Sequence, residues 1–182
     1  MFPLGDPRWK SHYPGAAEAL GNMEAAVMEE SIPEEGWKDL YWLFCNQGTV
    51  YLRSYAAVPH LVRLSRLANL GVRLGLLELV AAIERGRLRD AQEPLPEDWQ
   101  LAYRQALAEA RSSLAVCVGE QTGDFRRALK VAGIFLTLGG FAEAGFAVSR
   151  MNDWIECRKR GAVLLEPQSD GNPGVGADRS RE

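Results

Sequence analysis

The chain has few of the residue types on which enzymes and metal sites most often depend. Among its 182 residues are two histidines and three cysteines. His12 and His60 lie far apart in the sequence. Cys45, Cys117 and Cys157 include no Cys-x-x-Cys pair, so neither the ligand spacing of a zinc site nor a disulfide framework is indicated. The sequence therefore predicts no metal, no cofactor and no catalytic residue.

Long apolar runs are also missing. Residues 131–142 form one of the longest uncharged segments, and they fall well short of the roughly 18 residues that cross a bilayer. The N-terminal segment carries Asp6, Arg8 and Lys10 and lacks the apolar stretch of a secretion signal. We therefore expect a cytoplasmic protein that does not bind membranes.

The charge balance is slightly acidic. The formal net charge is −3 at pH 7, and residues 1–48 carry eight acidic and three basic side chains. Non-specific nucleic-acid binding depends on neutralising phosphates, so this balance predicts no nucleic-acid partner. Blocks of one charge sign remain available either for contact with a protein partner or as solvated helix faces.

Helical periodicity is what the sequence has in abundance. Apolar residues recur at three- and four-residue spacing, and no segment alternates as a half-buried strand does. The fold class predicted is all-α with about seven helices. One helix is expected to begin at Ser54 as N-cap, with Pro59 near the end of its first turn, where a missing N–H costs little. Residues 86–96 hold two prolines and a glycine, which predicts an exposed connection.

The domain organisation follows from the same pattern. A composition of 47% hydrophobic and 25% charged residues is that of a globular protein, and one helical domain is predicted over residues 1–166. It comprises N-terminal helices within 15–48 and a stack of helical hairpins over 54–157. Residues 167–182 are rich in Gly, Asp and Arg and are predicted to be a disordered tail.

The most distinctive segment is residues 46–64, a polar turn followed by an apolar helix with an early proline. It resembles the phrase "HQGTVYPAS…AVPFLV" of bacterial HEAT-like α-helical repeat proteins. The match consists of Gln47, Gly48, Thr49, Val50 and Tyr51, followed by Ala56, Ala57, Val58, Pro59, Leu61 and Val62. The sequence departs from the phrase at Asn46, Leu52 and Arg53. The resemblance implies a short HEAT-like α-solenoid of stacked antiparallel hairpins, and it implies little about function, because a fold does not fix an activity.

An acidic cluster flanks a proline-containing turn in the first third of the chain. It consists of Glu29, Glu30, Glu34 and Glu35. Acid–base catalysis needs one carboxyl group to be shifted by burial, whereas a cluster beside such a turn is expected to be exposed. We interpret these four residues as a candidate contact for a basic protein partner, with solvated helix ends as the alternative.

Trp42 and the polar residues of the distinctive turn complete the candidate partner-binding set. Trp42 falls off the apolar stripe of its helix, so it is expected either to be buried under the N-terminal segment or, if exposed, to anchor a partner. Gln47, Thr49 and Tyr51 either contact a partner or satisfy backbone groups between two helices. His60 is expected at the half-exposed edge of the core.

Three functions fit these features. The first is a non-enzymatic protein-binding helical module, most concretely an immunity protein that neutralises a bacterial toxin. The second is a structural or regulatory homo-oligomer that associates through the apolar helices of 125–157. The third is a HEAT-like DNA glycosylase, which would need a basic concave face that the acidic balance does not favour.

Overall fold

A computed structural model describes residues 3–13, 15–29, 38–90, 93–119 and 124–159 of the chain. All regular elements in these ranges are helical, which confirms the predicted all-α fold there. The α-helices are α1 (Pro7–His12), α2 (Ala16–Met28), α3 (Lys38–Phe44), α4 (Leu52–Leu67), α5 (Leu70–Asp90), α6 (Glu97–Gly119), α7 (Phe125–Leu138) and α8 (Ala142–Lys159), and a short 3-10 helix occupies Asn46–Gly48. The tail predicted to be disordered, residues 167–182, lies outside the described residues.

Helix α1 was not predicted, because six residues are too few to show a period. Its start is nevertheless well specified. Asp6 is the N-cap, its carboxylate accepts the backbone N–H of Arg8 at 2.9 Å, and a proline occupies the first turn. The Arg8 side chain donates to the same carboxylate, and this pairing lowers the pKa of Asp6 to about 2.

Helix α4 begins earlier than the sequence predicted. Its first residue is Leu52, and Tyr51 rather than Ser54 is the N-cap. The hydroxyl oxygen of Ser54 instead accepts the backbone N–H of Tyr51 at 3.0 Å, which satisfies a donor at the helix start. Pro59 therefore lies inside the helix, not in its first turn, and it removes one N–H from the intrahelical ladder.

Helix α5 continues to Asp90, so the exposed connection predicted from residue 86 begins too early. Gly86 lies inside the helix and is buried. A Cβ atom there would lie 2.7 Å from Cγ1 of Val50 and 2.8 Å from the carbonyl oxygen of Gly48. The glycine is required by close packing against the turn before α4, and it does not end the helix.

Helices α4 and α5 form the centre of the fold. They pack against each other, α4 also contacts α2, α3 and α6, and α7 packs against α5 and α6. The largest fully buried aliphatic side chains of the centre are Leu61, Leu64, Leu76, Leu77, Leu79 and Ile83. Ion pairs that join helices distant in sequence include Arg63 of α4 to Glu24 of α2 at 2.6 Å and Lys130 of α7 to Glu78 of α5 at 2.7 Å.

Helices α7 and α8 approach each other closely. A Cβ atom on Gly133 would lie 2.7 Å from the carbonyl oxygen of Gly145, and one on Gly145 would lie 2.7 Å from the backbone nitrogen of Thr137. Only glycine permits this distance between the two backbones. Among the described residues, those up to Asn152 form one compact unit, and residues 153–159 belong to a second.

Candidate functional site

The best candidate for a binding site is an aromatic corner formed by the end of α3, the 3-10 helix and the start of α4. Helix α3 places Leu40 and Phe44 in the core, where 3% and 0% of their surfaces are exposed. Trp42 lies between them in sequence and projects from the other side of the helix, with 69% of its surface exposed. The corner therefore presents the Trp42 indole ring on a short helix that Leu40 and Phe44 anchor in the core.

Arg53 connects the two helices of this corner. Its Nε atom donates to the carbonyl oxygen of Leu43, the residue after Trp42, at 2.9 Å. Its guanidinium carbon lies 4.7 Å from the centroid of the Tyr51 ring, a cation–π distance. Arg53 and Tyr51 are both half-buried, so both side chains are held in place while part of each remains on the surface.

The turn beneath the corner is rigid for local reasons. Gly48 has a φ of +81°, which is accessible to glycine at no steric cost. The backbone N–H of Thr49 donates to the carbonyl oxygen of Asn46 at 2.9 Å, and Val50 is buried against α5. Because Gly48 and Val50 are packed against Gly86, tertiary contacts hold the segment that leads into Tyr51.

The aromatic corner contains Trp42, Tyr51 and Arg53, which are the three residue types most often found at binding hot spots. The indole and the phenol ring supply apolar area, and the guanidinium supplies charge and planar stacking. No acid–base pair or nucleophile is part of this group. Its chemistry suits recognition of a surface.

The structure brings together only part of the predicted site. Tyr51 and Thr49 lie at the corner, half-buried. Of the two alternatives for Trp42, the structure shows exposure and not burial under the N-terminal segment. Gln47 belongs to the 3-10 helix, but its side chain lies outside the described part of the chain. Arg53 was missed, and the only signal for it was the departure from the "HQGTVYPAS" phrase at that position.

The predicted acidic cluster is described at one residue. Glu29 caps the C-terminal end of α2 and is exposed. Glu30, Glu34 and Glu35 lie outside the described residues. On α3, Asp39 is exposed and precedes Trp42 by three residues, so the two side chains share a helix face. An acidic group thus lies next to the exposed indole.

A second candidate is a cleft of about 170 Å³ between α1, α4 and α6, which sequence reasoning missed. Tyr55, Trp99 and Tyr103 form its aromatic walls, and Arg8 and Asp98 are its charged residues. The rings of Tyr55 and Tyr103 meet edge to face with centroids 5.9 Å apart. This cleft is small, and its size suits a single side chain.

A buried carboxylate lies behind the cleft. Glu84, 4% exposed, accepts two hydrogen bonds of 2.7 Å from Arg87 and one of 2.9 Å from the hydroxyl group of Tyr103. Burial, with the nearby carboxylate as second cause, raises the pKa of Tyr103 well above its usual value of 10. The carboxylate is fully engaged, so this group stabilises the fold and is not available to a substrate.

His60 does not lie at the core edge as predicted. It is 3% exposed, and its ring meets the buried ring of Trp9 edge to face with centroids 5.9 Å apart. Within the described ranges, no cluster of three or more His, Cys, Asp or Glu residues is arranged to hold a metal ion. Likewise, none of the helices described is both long and apolar enough to cross a membrane.

Comparisons with protein-family models, with curated proteins and with solved structures found no match for this chain.

Proposed function

We propose that this chain is a non-enzymatic protein-binding module, built as a short HEAT-like stack of antiparallel helical hairpins. The observation that carries the proposal is the exposure of Trp42, at 69% of its surface, on a helix whose flanking residues are in the core. A rigid aromatic side chain loses little conformational freedom when it is covered, so it contributes efficiently to binding. Arg53, which donates to the carbonyl oxygen of Leu43, and the ring of Tyr51 lie at the end of the same helix.

The most concrete form of this function is an immunity protein that neutralises a bacterial toxin in the cytoplasm. Two features support it. Residues 1–48 are acidic, and Asp39 and Glu29 are exposed near the ends of α3 and α2. A basic toxin, such as a nuclease that grips phosphate, would be attracted to this end of the chain, and the attraction would weaken with added salt.

The test is binding of the toxin-like protein encoded by a neighbouring reading frame. The full-length chain is co-expressed with it, and growth is measured together with the dissociation constant by calorimetry. We expect protection of growth and a complex in which Trp42→Ala raises the dissociation constant by about 30-fold or more, the effect of losing a hot-spot residue.

Leu101→Ala is the matched control. Leu101 is also a large apolar residue, 70% exposed, but it lies on α6, which is not one of the elements that form the aromatic corner. We expect this variant to bind with less than about a threefold change, as surface substitutions outside a hot spot do. The proposal is refuted if no such protein binds or if the two variants weaken binding equally.

A further inference from the structure

Helix α7 presents an apolar seam to solvent. The α7 seam consists of Phe125, Ala128, Ala132 and Phe135, all of them exposed, with 60% and 50% of the two phenylalanine surfaces accessible. The adjoining side of the helix is apolar as well, because Val131, Ile134 and Leu138 are buried against the core. The apolar side of α7 is therefore wider than the part that the core covers, and the exposed remainder is open to a partner.

The seam is not already used by the neighbouring helix. Helix α8 meets α7 at Gly133 and Thr137, and neither residue belongs to the seam. The spacing of the seam residues is that of the a and d positions of a coiled coil, which form one continuous line along a helix. A second helix can therefore lie along the whole line.

Two basic side chains near the seam are paired within the chain. Lys130 pairs with Glu78 of α5 at 2.7 Å, and Arg127 pairs with Asp124 at 3.2 Å. The four seam residues themselves carry no charge. The seam itself therefore matches another uncharged apolar line better than a strongly acidic or basic surface.

The order of the seam residues is symmetric. Reading in either direction gives phenylalanine, alanine, alanine, phenylalanine, with spacings of three, four and three residues. When two such helices lie antiparallel about a two-fold axis beside residue 130, Phe125 faces Phe135 of the second copy and Ala128 faces Ala132. The small central residues allow close approach, while the rings pack at both ends. A two-fold interface requires this kind of self-complementary surface.

We propose that the α7 seam binds a second copy of this chain, forming a two-fold dimer with its α7 helices antiparallel. Phe141, 64% exposed in the turn that follows α7, extends the apolar surface at one end. A helix of this length spans about 21 Å, so the interface is at the small end of specific interfaces. We expect a dissociation constant on the order of tens of micromolar.

Sedimentation equilibrium of the full-length chain tests the dimer. A concentration series from about 1 to 300 µM brackets the expected constant. Ala132→Glu puts a charge at the centre of the seam at an exposed position, and we expect it to weaken association at least about tenfold. Ala115→Glu is the control, because Ala115 is an exposed alanine of α6 outside the seam. It should dimerise like the unmodified chain.

Disulfide cross-linking tests the orientation of the helices. In a chain with Cys157→Ser, a mixture of Ala128→Cys and Ala132→Cys chains should cross-link faster than either variant alone, since residue 128 faces residue 132 across the axis. A strictly monomeric chain at the highest concentration overturns the proposal. The proposal is also overturned if Ala132→Glu leaves the dissociation constant of the dimer unchanged, or if each cysteine variant cross-links faster alone than in the mixture.

The seam and the aromatic corner are separate surfaces with separate tests. Trp42→Ala should lose the partner of the corner and still dimerise, whereas Ala132→Glu should lose the dimer and still bind one partner per chain. If both surfaces are used, each dimer carries two aromatic corners, and a repeated or dimeric partner would be held more tightly than a single contact allows.

Discussion

At the scale of single residues, the group formed by Glu84, Arg87 and Tyr103 shows how the chain tolerates a charge in its interior. A buried carboxylate is costly unless it is paired and its oxygens accept hydrogen bonds. Here the guanidinium of Arg87 and the hydroxyl of Tyr103 both donate to it. The arrangement ties the C-terminal part of α5 to the second turn of α6.

This group makes stability depend on pH in the alkaline range. Burial raises the pKa of Tyr103 well above 10, whereas an unfolded tyrosine ionises near 10. The folded chain keeps its proton while the unfolded chain loses it, so the stabilisation is complete below pH 10 and is lost as the pH rises further. The free energy of unfolding should fall by about 1.4 kcal/mol per pH unit for each such tyrosine.

Urea unfolding between about pH 9 and 11 measures this slope. Tyr103→Phe removes the ionising group, so the free energy of unfolding should fall less steeply with pH, by the equivalent of about one bound proton. The variant should be less stable at neutral pH, because it lacks the hydrogen bond to Glu84. Burial also raises the pKa of Tyr41, so part of the pH dependence should remain in this variant. An unchanged slope in the variant would contradict the assignment to Tyr103.

At the scale of elements, sequence patterns predicted helices well where they are long. The stripes of α6 and α7 repeat often enough to fix both the type and the approximate limits of each helix. Helix α1 was missed because it has six residues. The pattern places Gly86 after the end of α5, because glycine in a sequence usually marks a helix end. The reason for this glycine is instead its contact with Gly48 and Val50, which are far away in the chain.

The Gly86 contact leads to a test. Gly86→Ala introduces a Cβ against a backbone oxygen and a valine methyl group, so it should lower the free energy of unfolding by about 1–3 kcal/mol. Gly71→Ala is the matched control near the start of the same helix, where the nearest atom to the added Cβ is 3.7 Å away. Alanine there should stabilise by up to about 1 kcal/mol.

Urea unfolding of both variants measures the difference. Equal effects at the two positions would mean that the turn before α4 is not packed against α5.

The aromatic corner itself could be predicted only in part. The sequence placed Trp42 off the stripe of its helix, but the bond from Arg53 to the Leu43 carbonyl crosses a turn whose geometry no local pattern encodes.

At the scale of the whole molecule, stability should be greatest around α4 and α5. These helices contain most of the fully buried aliphatic side chains and contact most of the other helices. By contrast, α1 has six residues and few intrahelical hydrogen bonds. Local opening should therefore begin at the N-terminal end of the chain and reach the centre only on global unfolding.

Native-state hydrogen exchange measures this order. We expect the slowest amides within residues 57–64 and 76–83, exchanging only with complete unfolding, and the fastest helical amides in α1. Protection of α1 equal to that of α4 would show that the N-terminal segment belongs to the same cooperative unit as the centre.

The burial of two cysteines has a practical consequence. Cys45 and Cys117 are 6% and 0% exposed, and burial raises the pKa of the Cys45 thiol. An alkylating reagent reacts with a thiolate that it can reach, so both sulfurs should be labelled only during excursions that open the interior. With Cys157 replaced by serine, Cys45 and Cys117 are the cysteines left to react with the reagent. The labelling rate of each sulfur would report how often the surrounding part of the molecule opens, in the purified protein or in a living cell.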